Sequence, residues 1–236
     1  MKNLLFLILV AVGLTGCVHD REIYPGSPAS GVDPLANSNS PCPDLSGEYE
    51  FIASLLKGDQ NEKIYGRTHG LDSVLPISGY ATEWTKMIRG YRTKEGTRFQ
   101  ERPRYGKITQ ISERVYLLSV FYDDGLAGEY HTDLTDKSKF VCMNNRLIGG
   151  GRSQNSGSSE WGKNDSSGMY QIYKDEDGNL IREQISQVHM NALLGIPTGT
   201  AEYFYTIRFK KLNPDSVTSP QKDKDSKSPQ SARSTS

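Results

Sequence analysis

The run from Val115 to Tyr122 is apolar on both parities, with Val115, Leu117 and Phe121 on one and Tyr116, Leu118, Val120 and Tyr122 on the other. A strand of that kind is covered on both faces and lies centrally in its sheet. Turn signals crowd around it. Asp123-Asp124-Gly125 follows directly and reads as a hairpin. Strand signals then recur at 129–134, 139–143 and 146–148, with an Asn144-Asn145 turn between the last two. Segments 169–174 and 180–188 flank the turn Asp175-Glu176-Asp177-Gly178-Asn179, and beyond a bend at Gly195, Pro197 and Gly199, the residues Ala201, Tyr203, Tyr205, Ile207 and Phe209 line one face of a last strand. Strands joined by short turns predict a mostly β chain, an antiparallel meander forming a sandwich or open barrel, with one short helix.

That helix is expected where Trp84, Met87, Ile88 and Tyr91 fall at i, i+3, i+4 and i+7, with Thr82 available as N-cap; an irregular strand is the competing reading. Earlier, Tyr49, Phe51, Ala53 and Leu55 alternate with Glu48, Glu50 and Ser54, the pattern of a half-buried strand. From Gly149 to Gly168 the Gly/Ser-rich composition predicts a long mobile loop.

The chain begins with Met1-Lys2-Asn3 and an apolar run from Leu4 to Leu14, the layout of a secretory signal peptide and too short to span a hydrocarbon core of about 30 Å. Its end, Leu14-Thr15-Gly16-Cys17, resembles the lipobox of bacterial lipoproteins. The resemblance implies cleavage before Cys17 and acylation of that residue, with two or three chains holding the protein at a membrane, each buried CH2 adding about 0.8 kcal/mol. Val18 stands where an Asp would imply inner-membrane retention, so the implied address is the cell envelope and its outer membrane. The alternative is an ordinary signal peptide that leaves Cys17 free. The opening Cys42-Pro43-Asp44-Leu45-Ser46-Gly47 also looks like that of other bacterial lipoproteins and implies no particular activity, while Gly47-x-Tyr49 is weakly similar to the Gly-x-Trp start of lipocalins.

With residues 1–16 removed, 27 basic residues face 28 acidic ones, which argues against general attraction to nucleic acid. Hydrophobic residues at 35% suit one core with loose ends. The expected division is a signal peptide at 1–16, a lipidated flexible tether at 17–41, one β-rich domain at 42–212 and a disordered tail at 213–236. Treated as a coil, the tether separates its ends by about 30 Å. Once lipid takes Cys17, Cys42 and Cys142 remain, and two cysteines in an exported chain pair more often than they stay as buried thiols. No cofactor is implied.

Four features carry candidate chemistry. From Lys86 to Lys107, eight basic residues including Arg98, Arg102 and Arg104 stand against Glu95 and Glu101, interleaved with Tyr91, Phe99 and Tyr105. Such a patch can meet an envelope protein or an anionic polymer; acidic residues from elsewhere can equally neutralise it. Glu129, His131 and Asp133 share one strand face, which suits a metal or general base and equally a solvated surface. Gly149-Gly150-Gly151-Arg152 lacks the following helix that a phosphate cradle needs, although Trp161 in the loop behind it is a candidate contact residue. Asp175 to Asn179 lacks the spacing of a calcium loop and reads as a turn. No nucleophile elbow, zinc-protease pair or Walker sequence occurs. The leading expectation is a non-catalytic envelope lipoprotein binding a macromolecular partner or envelope polymer through Arg98, Arg102, Arg104 and Trp161. Its rivals are a lipocalin-like carrier of an apolar small molecule and a metal-dependent or hydrolytic enzyme.

Overall fold

The computed structural model describes residues 22–59, 68–76, 82–137, 139–159, 162–191 and 197–213. The signal peptide, Cys17, Trp161 and most of the C-terminal tail lie outside the described residues. Ten strands run in sequence order: β1 (Gly47–Glu50), β2 (Ser54–Gly58), β3 (Tyr105–Ser112), β4 (Val115–Tyr122), β5 (Gly125–Asp133), β6 (Phe140–Met143), β7 (Arg146–Ser159), β8 (Gly162–Lys174), β9 (Leu180–Asn191) and β10 (Pro197–Phe209). They form a four-stranded sheet, β1-β3-β4-β5, and a six-stranded sheet, β2-β10-β9-β8-β7-β6, antiparallel throughout.

A single bent segment joins the sheets. Its first half, β1, pairs with β3, and Tyr49 also bridges Lys211 just beyond β10. Its second half, β2, continues along β10. The order of neighbours is therefore a meander that turns a corner and stays open between β5 and β6. The expected single strand over Tyr49–Leu55 is in fact broken at the corner, where Phe51 turns inward against Tyr91 with ring centroids 6.4 Å apart. Across the open edge, buried Arg114 donates through Nη1 to the carbonyls of Leu134 and Phe140, which fastens the β5–β6 connection.

Both sheets contribute to one core. Tyr49, Ile108, Tyr116, Leu118, Val120 and Tyr130 meet Leu147, Ile172, Leu180, Ile207 and Phe209. As expected, β4 sits between two neighbours, but it is fully enclosed on one face only: Tyr116, Leu118 and Val120 are buried, while Val115, Leu117 and Phe121 on the other parity are half-buried. The two sheets do not close into a barrel, and the described residues partly fill the interior between them. The connection between β2 and β3 dips into it, bringing in the 3-10 turn Leu71–Ser73 and helix α1 (Thr82–Arg89). Leu71, Val74, Leu75 and Met87 are all buried there. Met87 lies so close to Gly128 of β5 that an added Cβ would meet its Cγ at 2.4 Å. Thr82 is the first helical residue, and Gly90 follows the last turn rather than interrupting it.

Turn chemistry matches the sequence at two hairpins. Asn144 and Asn145 both adopt positive φ, at 52° and 58°, as a two-residue hairpin turn requires. At the β8–β9 turn, Asp175 accepts from the backbone and side chain of Asn179 while Gly178 takes φ 79°. The predicted loop from Gly149 to Gly168 is instead the long β7–β8 ladder, which pairs Gly151 with Gly168 and Arg152 with Ser167. Small residues match each other across that ladder, so backbone pairing forms without an apolar alternation to announce it.

Residues 22–41, expected as tether, lie on the outer face of the six-stranded sheet. Val32 packs with Val141 and Ile148, Ile23 N–H donates to Ser167 Oγ at 3.3 Å, and Glu22 pairs with Arg152 at 3.1 Å. Turns within the segment satisfy its own backbone, among them Gly26 N–H to Val32 O at 2.8 Å. Four prolines and a polar composition thus coexist with a docked conformation, because one buried valine and a few sheet contacts hold it. Cys42 at its end is bonded to Cys142 of β6, with Cα atoms 4.8 Å apart. Beyond that bridge, Tyr116 O–H donates to Pro43 O at 2.8 Å and Tyr49 O–H to Leu45 O at 3.0 Å, locking the entry to β1. Burial pushes the Tyr116 phenol up to about 12, so both hydroxyls stay protonated donors at neutral pH.

Candidate functional site

The basic stretch divides into a base and a tip. Residues 92–101 form a small hairpin in which Thr93 bridges Gln100 and Lys94 N–H donates to Phe99 O, while Gly96 turns the tip at φ 73°. Its base is clamped. Arg92 pairs with Glu101 at 2.7 Å and Asp124 at 2.8 Å, its guanidinium stacks on Tyr122 at 3.8 Å, and its N–H donates to Tyr122 Oη. Gln100 Nε2 reaches the helix at Ile88 O.

Of the sequence candidates, Arg104 is paired with Asp123 of the β4–β5 turn, so its charge is partly neutralised there. Arg102 acts on Asp72, whose carboxyl is pushed above the ordinary carboxylate range chiefly by burial, with Arg102 pulling it back. Arg98 stands at the exposed tip next to Phe99, which leaves 78% of its surface open. The three arginines thus have different settings: Arg104 in an ion pair, Arg102 beside Asp72 and Arg98 at the tip. The structure brings together Lys94, Arg98 and Phe99 on a rigid base, a grouping that the charge count did not single out.

The Glu129/His131/Asp133 face lies on the outside of β5, an edge strand, with all three residues exposed. Ser119 Oγ donates to Glu129, and Asp133 accepts from Thr135, whose side-chain and backbone hydrogen bonds lower the Asp133 carboxyl below the ordinary value. Among the described residues no cluster of His, Cys, Asp and Glu is arranged to hold a metal ion.

Sequence reading missed a concave site on the inner face of β7, β8 and β9. A cleft of about 460 Å³ is lined by Gly151, Ser166, Gly168, Tyr170, Arg182, Gln184 and Ser186, with Ser153 at its rim. Strand register explains its composition: Gly149, Tyr170, Gln184 and Tyr205 form one row across the sheet, and Gly151, Gly168 and Ser186 form the next. The Tyr170 ring lies directly over Gly149, where an added Cβ would come within 2.2 Å of its hydroxyl. One wall is a hydrogen-bonded chain. Arg182 Nη1 donates to Val74 O at 3.0 Å and also to Ser73 O, its Nη2 donates to Gln184 Oε1 at 2.9 Å, and its guanidinium sits over the Tyr170 ring at 4.8 Å. Tyr205 O–H donates to the same Gln184 oxygen at 2.6 Å, which leaves Gln184 Nε2 to donate to Ser186 Oγ at 3.2 Å. Alternation on β9 signalled a strand, but Ile181 and Ile185 on the other parity gave no reason to place Arg182, Gln184 and Ser186 inward.

A smaller groove of about 300 Å³ on the opposite face of the same sheet carries Met169, Ile185 and Phe204, with Lys57 over the Phe204 ring at 5.4 Å and Glu183 beside them. No family model, no curated protein and no solved structure matches this chain.

Proposed function

We propose that the protein is an envelope lipoprotein, acylated on Cys17, whose β-sandwich binds a macromolecular partner or envelope polymer without catalysing a reaction on it. The observation that carries this reading is the 92–101 hairpin: ion pairs and a stacked arginine stiffen its base, and Lys94, Arg98 and Phe99 are displayed at the tip. An exposed aromatic beside cations contacts an anionic surface with both area and charge, and a stiff base limits the entropy lost on binding. The packed interior favours this over a carrier of bulky apolar molecules, since Leu71, Val74, Leu75 and Met87 occupy the space such a ligand would need.

Two measurements test the reading. Labelled palmitate supplied to the producing cells is expected to enter the full chain and to be lost in C17A; unlabelled wild-type protein ends the anchor. A photo-crosslinking residue in place of Phe99 is expected to trap one envelope component in cells, and the R98E change in that background to reduce the adduct about tenfold, the effect of roughly 1.4 kcal/mol. An adduct absent, or unchanged by R98E, overturns the hairpin as the contact.

A further inference from the structure

Arg182 is a half-buried cation whose contacts are two backbone carbonyls, one amide oxygen and one aromatic ring, with no carboxylate among them. Its Nε is enclosed and has no hydrogen-bond partner among the described residues. Desolvating a guanidinium without a counter-charge is unfavourable, and proteins normally offset it with an acid. Among the described residues the nearest lining supplies none: no Asp or Glu contributes to the cleft wall. The second arginine at the rim, Arg152, is already paired with Glu22 and Asp165. Among the described residues the cleft thus holds one positive charge without a paired acid.

Its remaining polar groups point the same way. Gln184 cannot turn its oxygen to the cleft, because Arg182 and Tyr205 both donate to that oxygen. Its amide nitrogen engages Ser186 Oγ, so the Ser186 hydrogen is left to donate into the open space. The Tyr170 hydroxyl is held over Gly149, and burial raises its pKa, so it remains protonated and able to donate at neutral pH. Ser166 Oγ donates to Ser153 O, and the two residues supply further hydroxyls at the rim. The cleft's volume lies within the usual range of about 300–1,000 Å³ for small-molecule sites.

We infer that this cleft binds a small, hydroxyl-rich organic anion, a carboxylated or phosphorylated sugar, with the anionic group beside Arg182 and Ser186 and the hydroxyls along the Ser153/Ser166 rim. The site is separate from the hairpin tip, so its occupancy does not depend on the contact proposed for Arg98 and Phe99.

Gly151 makes the inference testable without disturbing Arg182, which also holds the 3-10 turn. A Cβ added at Gly151 meets nothing within 4 Å, so a side chain there enters the cleft and leaves the strand intact. The full chain is titrated calorimetrically with glucuronate, glucose 6-phosphate and glucose. Glucuronate or glucose 6-phosphate is expected to bind, and which of the two binds identifies the anionic group; glucose is expected to give no measurable heat. G151L is expected to abolish binding at an unchanged melting temperature. S186A is expected to weaken it about tenfold, the loss of one hydrogen bond to a charged group. The R98E change is expected to leave it untouched. Silence from both anions, equal binding of glucose, or full binding by G151L overturns the inference.

Discussion

Asp72 lies in the 3-10 turn that plugs the core, close to Tyr91, Tyr130 and Arg102. Burial raises its carboxyl above the ordinary range despite Arg102 and its hydrogen bonds. Below that range the folded and unfolded chains are both protonated and nothing is lost. As pH rises, the unfolded chain ionises first, and stability falls until the folded carboxyl ionises as well. Asp72→Asn is therefore expected to melt above the parent at pH 7, with the difference vanishing near about pH 3, below the usual carboxylate pKa values. A constant difference across that window would show that the carboxyl's charge is not the cause. Asp44 has the opposite sign: hydrogen bonds from Ser46 lower its carboxyl, so its contribution is present above the ordinary range and fades on acidification. The fully exposed Asp124 is held down in the same sense by Arg92.

At the scale of elements, the docked segment 22–41 gives a second test. Its grip on the sheet is small, resting on Val32 in a three-residue cluster with Val141 and Ile148, one ion pair and a few hydrogen bonds. Burying a valine contributes about 1.5–3 kcal/mol. Val32→Asp is expected to release the segment to protease while leaving the main core and the melting midpoint nearly unchanged. Resistance equal to the parent would mean that other contacts hold the segment. The same elements explain what could be read beforehand. The strands β4 to β6 announced themselves because apolar alternation and turn residues coincide, as at Val115–Tyr122 and Asn144-Asn145. The β7–β8 ladder did not, because Gly151 against Gly168 and Arg152 against Ser167 pair through backbone alone. Docking of 22–41 depends on one valine among prolines and serines, too little to form a period. The cleft was illegible for a related reason: which parity of β9 faces inward is decided by Ile172 and Ile207 on neighbouring strands.

For the whole molecule, neighbours in sequence are neighbours in space almost everywhere except at the corner, where Gly47–Gly58 meets the end of β10 and closes the chain on itself. The Cys42–Cys142 bridge adds a second long-range closure, spanning 100 residues. In the chain-entropy account a loop of that size stabilises by about 4–5 kcal/mol. Reduction, or the paired C42A/C142A change, is expected to lower the melting temperature by roughly 10 °C or more. A midpoint unmoved by reductant would show that the bond adds nothing to the fold.

The bridge also fixes a route for mechanical load. With the acyl attachment proposed for Cys17, four residues lie between that cysteine and the docked segment, a reach of at most about 18 Å. A pull from the membrane therefore meets the Glu22–Arg152 pair and the Val32 contact first, and these weak holds peel away in turn. The tension then arrives at Cys42, where a covalent bond hands it to β6 at the outer edge of the large sheet, and the strands of the core stay in register. Peeling lengthens the leash by some twenty residues, about 70 Å fully extended, so the domain can ride close to the surface at rest and stand away from it under strain.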